Sequence, residues 1–164
     1  MNKKAQEEIV GFTLIVVIVA IVGVIILGIS LKSTDSFQEG KDIYHFLESA
    51  MEVTSSCAIS YEPAYSKLGE LFEECLNGLS VCTSGEKPCQ SVEKALAGII
   101  EASFNVAPEA HIKGYEFQST YSTNTTLKEI LIISKGKCGN TIRGSEVLLP
   151  AFPGTISNIL KLCY

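Results

Sequence analysis

The stretch Ile9–Leu31, IVGFTLIVVIVAIVGVIILGISL, decides how this chain is organised. It contains no charged residue, and at 1.5 Å of helical rise per residue it spans roughly 34 Å. A bilayer core about 30 Å thick is crossed by about 20 predominantly apolar residues. The stretch is also longer than the apolar region of a secretory signal peptide. It therefore predicts a retained, membrane-spanning helix.

The cysteines indicate which side of the membrane the rest of the chain occupies. All six follow the apolar stretch: Cys57, Cys75, Cys82, Cys89, Cys138 and Cys163. An even number confined to one side is typical of an oxidising compartment, so all six are disulfide candidates, with buried free thiols or a metal site as the alternatives. Lys3 and Lys4 precede the helix and favour a cytoplasmic N-terminus. Asn124 opens an Asn-x-Thr glycosylation acceptor pattern, which is also an extracellular feature.

The charge of the remaining chain restricts its partners. From Ser33 to Tyr164 there are ten Lys and Arg against sixteen Asp and Glu, a net charge of minus six. Such a surface repels phosphate backbones, so we expect no nucleic-acid partner.

Catalytic and cofactor motifs are missing from the sequence. There is no G-x-S-x-G, H-E-x-x-H, C-x-x-C or phosphate-binding glycine loop. His45 lies on a predicted helix and His111 precedes a predicted strand, and neither has a partner that the sequence reveals. Adjacent Glu73 and Glu74 point in different directions on a helix. We therefore expect no enzyme, no catalytic residue, no metal site and no cofactor.

Helical periodicity continues beyond the apolar stretch. Apolar residues recur at threes and fours from Phe37 to Val53, which predicts an amphipathic extension that ends near Cys57, with a weak point at Gly40. Two shorter helices are predicted over Tyr65–Leu76 and Ser91–Phe104.

The last third changes to a strand pattern. Four runs are predicted as strands: Tyr115–Tyr121, Leu127–Ser134, Thr141–Leu149 and Ile156–Cys163. Helices on one face of an antiparallel meander give an α+β domain. Tyr115, Phe117 and Tyr121 share a strand face that favours a core over a ligand surface. Among fifteen connectivities we propose Cys138–Cys163, because neighbouring strands bring Cα atoms within about 6 Å.

The N-terminal sequence Met1-Asn2-Lys3-Lys4-Ala5-Gln6-Glu7-Glu8, followed directly by the apolar stretch, resembles the class III signal peptides of archaeal type IV pilin-like proteins. That resemblance implies recognition of Lys3 and Lys4 by a leader peptidase and a cut between Ala5 and Gln6. Many members carry a Glu five residues into the mature chain, where this sequence has Val10. The implied domains are a cytoplasmic leader (1–8), a transmembrane and filament-core helix (9–31) and an extracellular disulfide-bonded domain (32–164).

The same resemblance implies a function in assembly. The expected protein is a structural subunit of a pilus-like filament at the cell surface, whose partners are the membrane, further copies of itself or other pilin subunits. Ala20, Gly23 and Gly28 would let helices approach closely, although such residues are also ordinary in membrane helices. The alternative is a single-pass, membrane-anchored extracellular binding or accessory module that does not polymerise.

Overall fold

A computed structural model describes the backbone of residues 3–32 and 35–164 and the side chains of residues 13–28 and 40–164. The chain divides into two compact units, Met1–Glu39 and Gly40–Tyr164. Each unit is described by itself.

The N-terminal part of the chain is helical. Helix α1 runs over Lys3–Lys32 and helix α2 over Asp35–Met51. The predicted continuity between them depends on positions 33–34, which lie outside the described residues. Helix α2 continues through Gly40, the expected weak point, and the division between the two units falls at the same position. The predicted end near Cys57 is wrong, because α2 stops at Met51 and Thr54 begins a strand.

Two more helices lie in the second unit. Helix α3, Leu68–Asn77, buries the apolar face predicted for it, including Leu68, Leu71 and Phe72. It ends at Gly78, whose φ of 67° is the left-handed conformation that glycine adopts without steric cost. Helix α4, Pro88–Phe104, starts three residues before the predicted Ser91. Proline suits the first helical turn because its missing N–H would have had no intrahelical acceptor there.

A small two-stranded sheet was not predicted. Strand β1, Thr54–Ala58, pairs antiparallel with β2, Tyr65–Lys67, although both segments had been assigned to helices. The Ser55 hydroxyl donates a 2.8 Å hydrogen bond to the Ser66 carbonyl and so links the two strands. Serine and threonine side chains compete for backbone groups in this way, which disfavours a helix interior.

The main sheet has four antiparallel strands: β3 (Gly114–Ser122), β4 (Leu127–Gly136), β5 (Ile142–Ala151) and β6 (Gly154–Cys163). The predicted α+β class is confirmed. The predicted meander is wrong, because the strand order is β4-β3-β6-β5 and the first strand pairs with the last. Strands β3 and β6 bury alternate residues and are central, whereas β4 is mostly exposed and lies at an edge. Strand β5 contains Pro150, which an edge strand tolerates.

The hydrophobic core of the second unit lies between the helices and one face of this sheet. The rings of Phe72 on α3 and Phe117 on β3 are 5.9 Å apart. Leu160 and Ile156 of β6 and Leu96 of α4 are fully buried in the same cluster. Tyr115 and Phe117 thus belong to the core, as their alternation predicts.

Candidate assembly helix and disulfide-bonded head

Helix α1 exposes a continuous apolar surface. From Leu14 to Leu27 its large apolar side chains are between 48% and 70% exposed. Successive residues turn by about 100° around a helix axis, so this run presents apolar atoms in every direction. A helix that is apolar on all sides normally lies inside a protein core, a helix assembly or a bilayer. The described side chains of α1 therefore form a continuous apolar surface.

Small residues shape that surface. Ala20, Ile21, Val24 and Ile25 line a hollow of about 280 Å³ on α1. A Cβ placed on Gly23 or Gly28 would have no atom within 4 Å. Nothing in the described structure thus requires glycine at either position, and the positions leave room for another helix.

Within the described residues, no helix is both long enough and apolar enough to cross a membrane.

The predicted leader residues Lys3, Lys4, Ala5 and Gln6 belong to the first turns of α1. Their side chains lie outside the described residues.

Three disulfides hold the second unit, hereafter the head (Gly40–Tyr164). Cys57–Cys82 joins β1 to the loop before α4, and Cys75–Cys89 joins α3 to α4, with Cα atoms 5.1 and 4.8 Å apart. Cys138–Cys163 joins the β4–β5 loop to the end of β6 across a Cα distance of 4.8 Å. The last bridge is the pairing proposed from the sequence, and all six cysteines are used.

A cluster of three polar side chains links α4 to the main sheet. The Tyr115 hydroxyl donates to Glu101 Oε1 at 3.3 Å, and Lys135 Nζ lies 2.6 Å from Glu101 Oε2. Burial, followed by the charge of Glu101, raises the pKa of Tyr115 to about 12. The hydrogen bond from Lys135 lowers the pKa of Glu101 below its ordinary value. This arrangement links α4 to strands β3 and β4 of the sheet.

An acidic groove of about 560 Å³ runs beside the start of α3. Its lining includes Glu52, Glu70, Glu73, Glu74 and one lysine, Lys67. Lys67 lies 2.5 Å from Glu52, and a hydrogen bond to that carboxylate raises the Lys67 pKa. Glu73 and Glu74 both line the groove although their adjacent positions predicted different directions. The Glu74 carboxylate accepts a hydrogen bond from the Ser80 hydroxyl, so one of the two is already engaged.

The two histidines make local contacts. His45 is exposed on α2, and its Nδ1 lies 3.6 Å from Glu48. His111 packs edge-on against the Tyr164 ring with centroids 5.0 Å apart. Among the residues that the structure describes, no three His, Cys, Asp or Glu side chains converge as metal ligands would.

No protein-family model matches the chain, and no curated protein matches its sequence.

Proposed function

We propose that this protein is a structural subunit of an extracellular type IV pilus-like filament, assembled through its apolar N-terminal helix. One observation carries the proposal: every large apolar side chain from Leu14 to Leu27 is about half exposed or more. Such a helix needs an apolar environment, and a bundle of identical helices supplies one.

The free energy involved is large. Burying one Val, Leu or Ile side chain fully contributes about 1.5–3 kcal/mol. Removing the exposed half of twelve such residues from water is therefore worth on the order of 10 kcal/mol. A surface with this driving force does not stay exposed to water. Before assembly lipid covers α1, and after assembly other copies of α1 cover it.

The membrane stage is supported by the sequence of Ile9–Leu31, which has no charge, and by Lys3 and Lys4 before it. In this proposal a leader peptidase cuts between Ala5 and Gln6, and residues 32–164 lie outside the cell. Three disulfides in the head fit an oxidising compartment.

The filament stage is supported by the small residues of α1. In lipid, helices associate by close packing of their backbones, which small side chains permit. Gly23 and Gly28 have open space where a side chain would be, and Ala20 lines a hollow. These positions are where a neighbouring copy would approach most closely.

A second candidate is a membrane-tethered module that never polymerises. It is favoured by the same exposure of α1 on all sides, because lipid covers such a helix as completely as other helices do. The two candidates differ in where the protein is recovered.

Shearing and fractionation of cells that express the full chain separate them. The filament proposal predicts recovery in a sheared, sedimenting extracellular fraction. It also predicts that Gly23→Ile reduces this recovery several-fold while membrane recovery persists, because the added side chain keeps helices apart without adding polarity. Val22→Ile, at a position that does not line the hollow beside Ala20, is the matched control and should change neither fraction. Exclusive recovery of the unaltered protein with membranes would contradict filament assembly and favour the tethered module.

A further inference from the structure

Two hairpin turns meet at one end of the main sheet. The β3–β4 hairpin turns at 123–126, and the β5–β6 hairpin turns at Phe152–Pro153. Ser122 pairs with Thr155, which places both turns at the same end. A Cβ on Gly154 would lie 2.2 Å from the Ser122 carbonyl oxygen and 2.9 Å from Thr123 Cγ2. The absence of a side chain at Gly154 therefore lets the two turns touch.

The first of these turns presents the acceptor pattern Asn124-Thr125-Thr126. All three residues are exposed. The Thr123 hydroxyl organises the turn, since it accepts from the Thr126 N–H at 3.0 Å and lies 2.7 Å from the Thr126 hydroxyl. Within the described part of the chain the Asn124 side-chain amide makes no hydrogen bond. The turn is thus held by other groups, and the amide nitrogen is accessible to an enzyme.

The second turn presents an unusually exposed aromatic ring. Phe152 is 101% exposed, the highest value among the large apolar residues of the described chain, and Leu127, at the base of the first turn, is 77% exposed. Isolated apolar residues are common on protein surfaces. A fully exposed phenylalanine in a turn that adjoins the turn of a glycan acceptor is a more specific juxtaposition, because the C–H face of a sugar ring packs against an aromatic face.

We propose that Asn124 is an N-glycosylation site and that the sugars nearest to it cover the Phe152 ring. The Asn124 amide nitrogen attacks the anomeric carbon of a lipid-linked oligosaccharide phosphate. A C–N bond forms, the C–O bond to the lipid phosphate breaks, and the nitrogen loses one proton. The acceptor pattern has the hydroxyl residue that this transfer requires, Thr126, two positions after the asparagine. The inference rests on the extracytoplasmic placement of the head proposed above.

Mass spectrometry of the full chain purified from its host tests the site. The peptide that contains Asn124 is expected to carry carbohydrate mass. Asn124→Gln and Thr126→Val should lose that mass, whereas Thr126→Ser and Thr125→Val should keep it. The neighbouring threonines are a matched pair, since both are exposed but only Thr126 is at the required position. An unmodified Asn124 peptide in the unaltered protein would overturn the proposal.

The redox state of the cysteines in the same sample shows whether a negative result concerns glycosylation alone or also the extracytoplasmic placement of the head. An unmodified Asn124 with Cys138–Cys163 oxidised would overturn glycosylation alone. An unmodified Asn124 with free thiols would also overturn the extracytoplasmic placement on which the proposed function depends.

A double-mutant cycle tests the contact with Phe152. In the glycosylated protein, Phe152→Ala should lower the melting temperature of the head by about 2 °C, a shift typical of the loss of one weak contact. In the Asn124→Gln background the same substitution should leave it unchanged. Equal shifts in both backgrounds would show that the glycan does not cover the ring.

Discussion

Helix α1 and the head contain similar apolar side chains in opposite surroundings. In α1 the large apolar side chains from Leu14 to Leu27 are at least 48% exposed. In the head, Phe117, Leu160 and Leu96 are fully buried. The head thus buries a core of apolar residues, although single ones such as Leu79 stay exposed, whereas the described large apolar side chains of α1 are all exposed.

Individual glycines also differ in how closely the chain packs around them. A Cβ on Gly136 of the head would lie 2.1 Å from the Lys113 carbonyl oxygen, so close backbone packing requires glycine there. A Cβ on Gly23 of α1 would have no atom within 4 Å. Glycine costs a helix about 1 kcal/mol relative to alanine. Contacts within the chain explain Gly136, whereas Gly23 in α1 and Gly98 in α4 both bear the helix cost without such a contact.

The comparison predicts that truncating an apolar side chain lowers the stability of the head only when that side chain belongs to the head. Phe117→Ala should reduce the free energy of unfolding of the head by about 3–5 kcal/mol, because it leaves a cavity beside Phe72. Val24→Ala in α1 should leave it unchanged. Urea denaturation of the full chain in detergent measures both. An equal loss for the two variants would show that α1 belongs to the core of the head.

The disulfides should account for the next largest effect. Replacing both Cys138 and Cys163 by alanine releases a crosslink with a sequence separation of 25 and should reduce stability by about 3.5 kcal/mol in the chain-entropy account. The Cys75 and Cys89 pair, with a separation of 14, should cost slightly less, about 3 kcal/mol. Both are measured as denaturant midpoints under non-reducing conditions. Midpoints unchanged from the unaltered protein would contradict a stabilising role for these bridges.

A charge introduced at an exposed apolar residue of each region tests whether that residue contributes to membrane association. Ile21 is 54% exposed and Leu79 is 90% exposed. Ile21→Arg should make the protein easier to extract from membranes with alkali, because arginine at the centre of a membrane helix costs about 2.5–3.5 kcal/mol, a fraction of the roughly 10 kcal/mol that the apolar side chains provide. Leu79→Arg should have no effect on fractionation. If Ile21→Arg is equally neutral, the α1 surface is an ordinary solvated one.

The smallest effect concerns acid stability of the head. Lys135 lowers the folded-state pKa of Glu101, so the stability from this pair is complete above the ordinary value of 4.5. It is lost as the pH falls through the lowered pKa. Lys135→Met should therefore lower the melting temperature at neutral pH, and the difference from the unaltered protein should close in acid. Lys137→Met, which removes an exposed charge nearby, is the control. A difference that persists unchanged in strong acid would contradict the ion-pair explanation.

Local periodicity was enough to predict much of the head. The faces of α3 and α4 follow from apolar spacing, and the alternation of Tyr115, Phe117 and Ser119 predicts both a strand and its buried side. The proposal of Cys138–Cys163 needed only a turn and a strand end that neighbour each other. The helix and strand patterns reflect which side of a single element is buried.

The errors arose where tertiary pairing decides the structure. Thr54–Ala58 is a strand because it pairs with Tyr65–Lys67 and because Cys57 is bridged to Cys82, and neither interaction has a local signal. The strand order depends on β3 and β6 being buried more completely than β4. Such differences in burial are set by the whole core, so a strand-by-strand prediction of a meander could not find them.

The assembly surface was predictable for a different reason. The apolar run of α1 continues without a polar face, so its composition alone indicates an interaction surface. In the proposed assembly other chains and the membrane cover that surface, and single-chain periodicity contains no signal for either.

The most direct measurement is the N-terminal sequence of the protein in sheared, sedimenting material from its host. The account predicts a chain that starts at Gln6 in polymers free of membrane, because the leader is removed before α1 enters a filament. An intact Met1 found only in membranes would contradict it and would leave a tethered extracellular domain.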